Sequence, residues 1–549
     1  MTVLSGPPVS GVPGVGALTL AGFITEVCER FAGNEALVFD DPLRGGETVR
    51  WSYTDLLTQA QRVARALIAA GASKGARVGI LMGNRPEAVA AFFGASLAGA
   101  VTVPLSTFSA IPELAFMLED ADISVLLTQT RLLKRDLLAE VRTIDPPPYL
   151  RAIQAVGTAD YLATLAPMEE VARRAPTISP ADEGLITYSS GTTDRPKGML
   201  HCQRAPSLQF WVQAGVFRRQ EATRMWTALP MFWTAGIHTA MGATLAAGGC
   251  WVMQETFEPG EALALMARER VTEPYCLPHQ TAALEEHPAW AGTDLSAMRC
   301  VFGKSAFARH PRVSGDTTWN MPVGYGLSET CAFFIAHQWD RPRTLERNSM
   351  GRPLPGNQVR IVDPDTNDSA APGEDGELTV RGPTLMEHYV KKTREECLDA
   401  DGFFHTGDMG FVDAGGDIHW TGRRTEMIKT GGANVSPAEL EVQLRACAPV
   451  KLARVLGVPD PRLDQLVVLC VTLKDGAEAT EADIQGFLRE RVASYKVPKR
   501  VLFFAEGEIP MTGSETKVRD AELRALVAAR LSPPTASKSD SDSPQGVAP

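Results

Sequence analysis

From Thr54 the apolar positions Leu56, Leu57, Ala60, Val63, Leu67 and Ile68 recur at helical spacing, and the pattern stops at Gly71, a residue suited to a helix end. Arg77–Met82 follows as a buried-strand run. Pro86 to Ala98 reads as a second helix with proline in its first turn. Val101–Leu105 predicts a strand, Glu113–Leu118 a helix and Ile123–Thr128 another strand. Strands alternating with helices predict crossover units and a largely parallel sheet. The alternation continues less cleanly through Met225–Leu229, Gly249–Gln254 and Met298–Phe302.

The texture changes near residue 350. Gly, Pro and Asp become frequent between short runs such as Gln358–Val362 and Glu377–Val380, which predicts a small β-rich part over about 350–422. Beyond Gly422 come a helix from Pro437, strands at Leu452–Val458 and Leu466–Leu473, a helix from Glu481 and a helix near Arg519–Arg530. The expected organisation is α/β: a loose start over 1–17, a large N-terminal lobe of mixed α/β sheets over 18–424, and a smaller α+β domain over 425–531. Residues 532–549 are rich in Ser, Pro, Asp and Lys, which predicts a disordered tail.

Composition narrows the function classes. At 549 residues the chain exceeds one ordinary domain. A net charge of −11 argues against nucleic acid or an anionic membrane as partner, so an anionic ligand has to be held by local donors. The nine cysteines include no CxxC and no zinc-like spacing, which fits buried thiols in a reducing compartment. There is no basic residue before Arg30 and no apolar run of membrane-spanning length, so a cytoplasmic location is expected.

The candidate chemistry centres on Thr187-Tyr-Ser-Ser-Gly-Thr-Thr-Asp-Arg-Pro-Lys-Gly198, which follows the apolar strand end Leu185-Ile186. Glycine lets backbone N–H groups close on an anion, Ser189, Ser190, Thr192 and Thr193 add hydroxyl donors, and Lys197 adds a mobile charge. A phosphate suits such a loop. Gly324-Tyr-Gly-Leu-Ser-Glu-Thr330 offers an aromatic face at Tyr325 between glycines, a carboxylate at Glu329 for a hard cation, and a hydroxyl at Thr330. His405-Thr-Gly-Asp-Met-Gly410 presents Asp408 on a glycine turn.

These motifs, in this order, resemble those of the adenylate-forming enzymes: acyl-CoA synthetases, luciferases and peptide-synthetase adenylation domains. The resemblance runs over about residues 50 to 520. It implies a nucleotide site at Ser189, Ser190, Gly191, Thr192, Thr193, Gly303, Lys304, Ser305, Tyr325, Gly326, Asp408 and Arg423, with Mg²⁺ at Glu329 and catalysis by Lys197, Thr330 and Lys517. It implies a mobile C-terminal domain that swivels at Thr425 and brings Gly431-Gly432 to the pantetheine of CoA. Pro230-Met-Phe-Trp-Thr-Ala-Gly236 matches a turn lining the acyl pocket, with Trp233, His238, Gly326 and Phe334 as candidates beside Phe333. His238 is expected to be structural rather than catalytic. Amino-acid-activating relatives carry an aspartate where Trp233 stands, so an apolar acid is implied.

The implied reaction is formation of an acyl-CoA thioester through an acyl adenylate, with ATP, Mg²⁺ and CoA. Two departures fall on its first half. Asp194 stands where the family usually has a second glycine. Lys517 lies seven residues after Pro510, behind Glu515-Thr516, where six and a Gly-Lys ending are usual. Like charges about 4 Å apart repel by roughly 1–4 kcal/mol. The chain is therefore expected either to adenylate weakly, with a partner enzyme supplying the acyl adenylate, or to run both steps. A luciferase-like oxygenase and a nucleotide-binding protein without catalysis remain open. A peptide-synthetase module is expected to continue into a carrier domain, and nothing of that kind is read after residue 531.

Overall fold

The computed structural model describes residues 3–189, 195–301, 305–314, 322–337, 349–364, 366–423, 428–435, 437–505, 507–510 and 520–531. The expected large lobe is built on two mainly parallel sheets and one antiparallel sheet.

The seven-stranded sheet runs 388–389, 197–202, 183–189, 101–104, 77–81, 123–129 and 152–156. Strand 183–189 lies parallel to 101–104 but antiparallel to 197–202, so the candidate phosphate loop bridges a hairpin. The five-stranded sheet runs 273–274, 224–227, 250–253, 35–41 and 47–52, parallel except for its last pair.

Helices fill the layer between these sheets. Tyr53–Ala69 starts at a capping box: Ser52 and Asp55 bond each other's backbone N–H groups at 2.9 and 3.1 Å. Pro86–Leu97 is buried all round, as its near-continuous apolar sequence requires. A Cβ on Gly94 would meet Val63 Cβ at 2.6 Å, so glycine is what lets these two helices cross this closely. Their apolar faces join one core with Phe23, Phe210, Trp211 and Trp251.

The antiparallel sheet has eight strands in the order 4–5, 358–362, 376–381, 404–412, 418–423, 349–353, 332–336 and 324–327. It carries both the Tyr325 and the Asp408 motif. A separate five-stranded sheet joins 433–435, 428–430, 464–473 and 450–460, with 500–503 parallel to 464–473. Helices Pro437–Leu444 and Glu481–Arg489 cover it, in keeping with a smaller C-terminal α+β domain.

Two expectations change. The start of the chain is not loose: Leu4–Ser5 pairs with Gln358–Val359, Gly6 N donates to Asn357 O at 2.8 Å, and Val12 is buried. The pairing uses backbone groups of Leu4, Ser5 and Gly6, which keep their N–H donors, and the prolines at 7 and 8 fall just beyond it. Met298–Phe302 makes no strand among the described residues. The N–H groups of Arg299 and Cys300 both turn to Thr272 O, at 2.7 and 3.1 Å, so neither joins a regular ladder.

Candidate active site

One cavity of about 1010 Å³ lies where the hairpin, the antiparallel sheet and the C-terminal domain meet. Its walls gather residues scattered from Ser106 to Tyr495.

On one side the two nucleotide motifs touch. Tyr325 Oη donates to Asp408 Oδ2 at 2.8 Å, and Trp420 Nε1 donates to Asp408 Oδ1 at 3.3 Å. Asp408 is only 2% exposed. The turn before it is held from below: Glu377 accepts from Gly407 N at 2.8 Å and meets His405 Nδ1 at 3.0 Å. Gly407 has φ +71°, which favours glycine there. The hydrogen bond to Glu377, opposed by partial burial, raises the His405 pKa above the ordinary histidine value.

On the phosphate side Ser189 and Lys197 pair across the hairpin, and both line the cavity. Lys197 Nζ lies 5.6 Å from the Tyr389 ring centroid, and Tyr389 Oη donates to Glu329 Oε1 at 2.8 Å. Burial, then the Glu329 charge, raises the Tyr389 pKa, so the phenol keeps its proton. Glu329 and Lys197 thus both line the cavity and both approach Tyr389, with lone pairs left over on Glu329. Among the described residues no group of three or more His, Cys, Asp or Glu is placed to hold a metal ion. One carboxylate completed by a ligand's phosphate oxygens is an ordinary Mg²⁺ environment, and Glu329 fits it.

The opposite side is aromatic. Phe232, Trp233, Phe333 and Tyr275 line it together with Gly326. A Cβ on Gly326 would meet Ala332 O at 1.7 Å, so only glycine permits this strand pairing. The C-terminal domain closes the mouth with Lys429, Gly432, Ala433 and Tyr495. Gly431 and Gly432 have φ of +56° and +80°, and Gly432 packs against Leu277. Tyr495 meets Phe108 and Trp233 edge-on, with centroids 6.3 and 6.5 Å apart.

Several expected residues are placed elsewhere. Phe334 is buried on the other face of its strand, because successive side chains alternate, and Phe333 takes the cavity wall. His238 is wholly buried: Nδ1 meets Thr234 O at 2.8 Å, and the pKa falls to about 4 through burial, against that bond. Thr330 is also fully buried. Its hydroxyl bonds Leu327 O, Ala332 O and Leu327 N at 3.1, 2.8 and 2.9 Å, which fixes the turn and leaves it out of the cavity wall. Ser305 opens a short helix away from the cavity. Arg423 pairs in register with Asp408, but its side chain lies outside the description. Ser190, Gly191, Thr192, Thr193, Asp194, Gly303, Lys304, Thr425 and Lys517 also lie outside the described residues.

Sequence reasoning missed Trp420, Tyr389, Tyr275, Thr239, Lys429 and Tyr495. Trp420 and Lys429 carried a signal, sitting two residues before the Gly422-Arg423 pair and two before Gly431-Gly432.

A family model described as AMP-binding enzyme matches residues 24–390, and one described as AMP-binding enzyme C-terminal domain matches 439–516. An indoleacetate–CoA ligase of Aromatoleum aromaticum is 32% identical over 489 residues, covering 87% of this chain and 93% of the relative. A feruloyl-CoA synthase of an Amycolatopsis species is 32% identical over 483 residues, covering 86% and 93%. Among solved structures, the amide bond synthetase McbA of Marinactinospora thermotolerans aligns with a TM-score of 0.77 at 26% identity, covering 92% of this chain and 99% of that one. The anthranilate CoA ligase AuaEII, in complex with anthranoyl-AMP, aligns at 0.63 and 25% identity, covering 95% and 100%.

Proposed function

The chain belongs to the AMP-binding, adenylate-forming enzymes, in their acyl-CoA ligase branch, and from that premise we propose that it converts an apolar, ring-bearing carboxylic acid, through its acyl adenylate, to the CoA thioester. The observation that carries this reading is one cavity lined by the Asp408–Tyr325 pair, by the aromatic side chains of Phe232, Trp233, Phe333 and Tyr275, and by the left-handed Gly432. The first wall suits AMP, the second an acyl group, and the third a slender thiol arm.

In the first step a carboxylate oxygen attacks the α-phosphorus of ATP and pyrophosphate leaves. In the second the CoA sulfur attacks the acyl carbon, the C–O bond breaks, and AMP departs with the electron pair as the thiol proton passes to solvent. Lys197 supplies charge at the phosphates, and Lys517 is proposed to supply the second cation. Glu329 would hold Mg²⁺, which would supply charge neutralisation at the phosphates. Thr330 is assigned to holding the Leu327–Ala332 turn. Thr425 is proposed as the swivel.

The test is thioester formation across a panel of aryl acids, run once with ATP and free acid and once with preformed acyl adenylates. Product in the second run alone would assign this chain the thioester half-reaction and call for a separate adenylating enzyme. ATP-dependent pyrophosphate release would refute that restriction and with it the inhibitory reading of Asp194. Likeness to an amide bond synthetase favours a second reading, in which an amine replaces the thiol; an amine arm in the same assay decides it.

Asp408→Ala is expected to weaken a non-reactive acyl-adenylate analogue by about 2–3 kcal/mol, because a charged acceptor is lost and Tyr325 and Trp420 lose their anchor. Unchanged affinity by calorimetry would remove Asp408 from the nucleotide site. Gly432→Val is expected to slow the thioester step about tenfold or more while sparing adenylate binding, since a β-branched residue at φ +80° costs at least 1–2 kcal/mol. Equal CoA-dependent rates in parent and variant would place the thiol route elsewhere.

A further inference from the structure

We propose that Gln209, a core residue outside the cavity wall, is a positioning residue: its side-chain amide straps a strained turn and so sets the spacing between the nucleotide side of the cavity and its acyl wall. This rests on the ligase reading above and adds a residue that acts through the turn.

The turn joins strand 324–327 to strand 332–336 and carries Glu329 and, at its exit, Phe333. Between them stand Cys331 and Ala332, consecutive non-glycine residues with φ of +56° and +78°. L residues avoid that region because Cβ crowds a carbonyl oxygen. Two in succession persist only where surrounding groups over-determine them. Here they do. Gln209 is fully buried in helix Arg204–Val216, and its Nε2 donates to Thr330 O at 3.1 Å and to Phe333 O. Those carbonyls lie on either side of the left-handed pair, so one amide uses both protons to bracket it. His201 Nδ1 meets Cys331 Sγ at 3.2 Å, and Cys331 packs with Cys202 and Ala205. From the far side, Met386 N donates to Glu329 O at 2.7 Å.

The strap is held at a cost. Gln209 Oε1 is buried with no hydrogen-bond partner among the described residues. Buried acceptors are ordinarily paired, yet the two carbonyls fix the amide in this orientation and leave its oxygen unmet. The element that brings the amide here also carries the phosphate cation. Strand 197–202 begins with Lys197 and includes His201, and helix 204–216 follows with Gln209. Just past the helix, Phe217 stacks on Phe333 with centroids 6.0 Å apart. Two residues on, Arg219 forms an ion pair with Glu273, side chains 0% and 3% exposed, with Nε at 3.1 and 3.0 Å from the carboxylate oxygens. One ribbon, paired at its start and ion-paired at its end, therefore spaces Lys197, Glu329 and Phe333 from each other.

The experiment compares the full-length parent with Gln209→Met, Cys331→Gly and the double variant, each well below its own melting midpoint. Methionine keeps the length and burial but has no N–H, and glycine takes φ +56° without strain. Calorimetry with a set of aryl-acyl sulfamoyl adenosines reads acyl-adenylate recognition without turnover; kcat/KM for thioester formation reads it with turnover. Gln209→Met is expected to lower both by about tenfold or more, because the walls lose their spacing. Cys331→Gly alone should stay within about threefold of the parent, the strap being intact. Added to Gln209→Met, it should recover most of the loss. A merely space-filling glutamine would give no such recovery, since glycine fills nothing. Unchanged affinity in Gln209→Met, or a loss that glycine leaves as it was, would overturn the proposal. The expected pattern in calorimetry with no thioester formed would support the strap and overturn only the ligase reading. A parent that bound none of the analogues would overturn both. If Gln209→Met fails to fold, Gln209→Asn, whose amide is one methylene short of the carbonyls, carries the same comparison.

Discussion

Lowering the pH from 6.5 to 4 is expected to remove about 5–6 kcal/mol of folding stability through two histidines alone. His201 and His238 are wholly buried and uncharged, with pKa values pushed down to about 3 and about 4. Burial is the main cause for both; the neighbouring His238 lowers His201 further, and backbone carbonyls at Ser328 and Thr234 oppose the shifts in part. The unfolded chain binds these two protons near pH 6.5, the folded chain only far below it. Their stability contribution is therefore complete above about pH 6.5 and is lost as pH falls toward the folded values. Each histidine gives up to about 1.4 kcal/mol per pH unit, the full slope holding only between its unfolded and folded values, so each loses about 3 kcal/mol over the window. Asp120 and Glu255, whose pKa values burial raises, act in the opposite direction, while Glu35, Glu269, Asp399 and Asp413, held low against burial by cationic or hydrogen-bonding neighbours, add to the loss. For a protein of ordinary stability the total is enough to unfold it. Denaturant titrations between pH 7 and pH 4 measure the slope, and His238→Gln should cut it by nearly half. A flat profile would mean that neither histidine is sealed from water.

The second large effect concerns Lys496. It is 2% exposed, with Nζ at 2.6 Å from Glu439 Oε1 and 2.9 Å from Glu113 Oε1. Burial pushes its pKa down, but Tyr495, Glu439 and Glu113 lift it above the ordinary lysine range, so the charge is kept at every working pH. Its contribution is full below about pH 10 and fades only as pH climbs through the raised value. Glu439 lies on a helix of the C-terminal domain, whereas Glu113 lies on helix Ile111–Asp120 of the large lobe. Lys496→Met would leave two carboxylates buried without their cation, a loss of about 3–5 kcal/mol. Glu113→Ala is the cleaner variant. It keeps the pair with Glu439 but removes this buried ion pair between the domains, at a cost of about 1.5–3 kcal/mol. Tenfold to a hundredfold slower thioester formation is expected, with acyl-adenylate affinity near that of the parent. If Glu113→Ala formed thioester at the parental rate, the orientation with Gly432 in the cavity would not be the working one.

What the chain displays in one dimension depends on how local the information is. Tyr325, Asp408, Lys197 and Glu329 are readable because each sits in or beside a short motif whose glycines declare close backbone approach. Thr330 looked equally chemical, yet which way its hydroxyl turns depends on carbonyls that only the folded turn supplies. Phe333 and Phe334 were indistinguishable until a strand assigned them opposite faces. Tyr275, Thr239 and Tyr389 come from three separate elements, and their meeting depends on sheet order, which one sequence does not spell out. The Arg219–Glu273 pair, 54 residues apart, was invisible for the same reason.

The two-residue strand Leu4–Ser5 has a practical corollary. It is the last plank of the eight-stranded sheet, laid along Gln358–Val362. Trimming the first seventeen residues as dispensable would bare the Gln358–Val359 end of that strand, an edge able to pair with the same edge of a neighbouring copy. A shortened protein would then fail as precipitate rather than as a weaker catalyst, and its inactivity would say nothing about the chemistry.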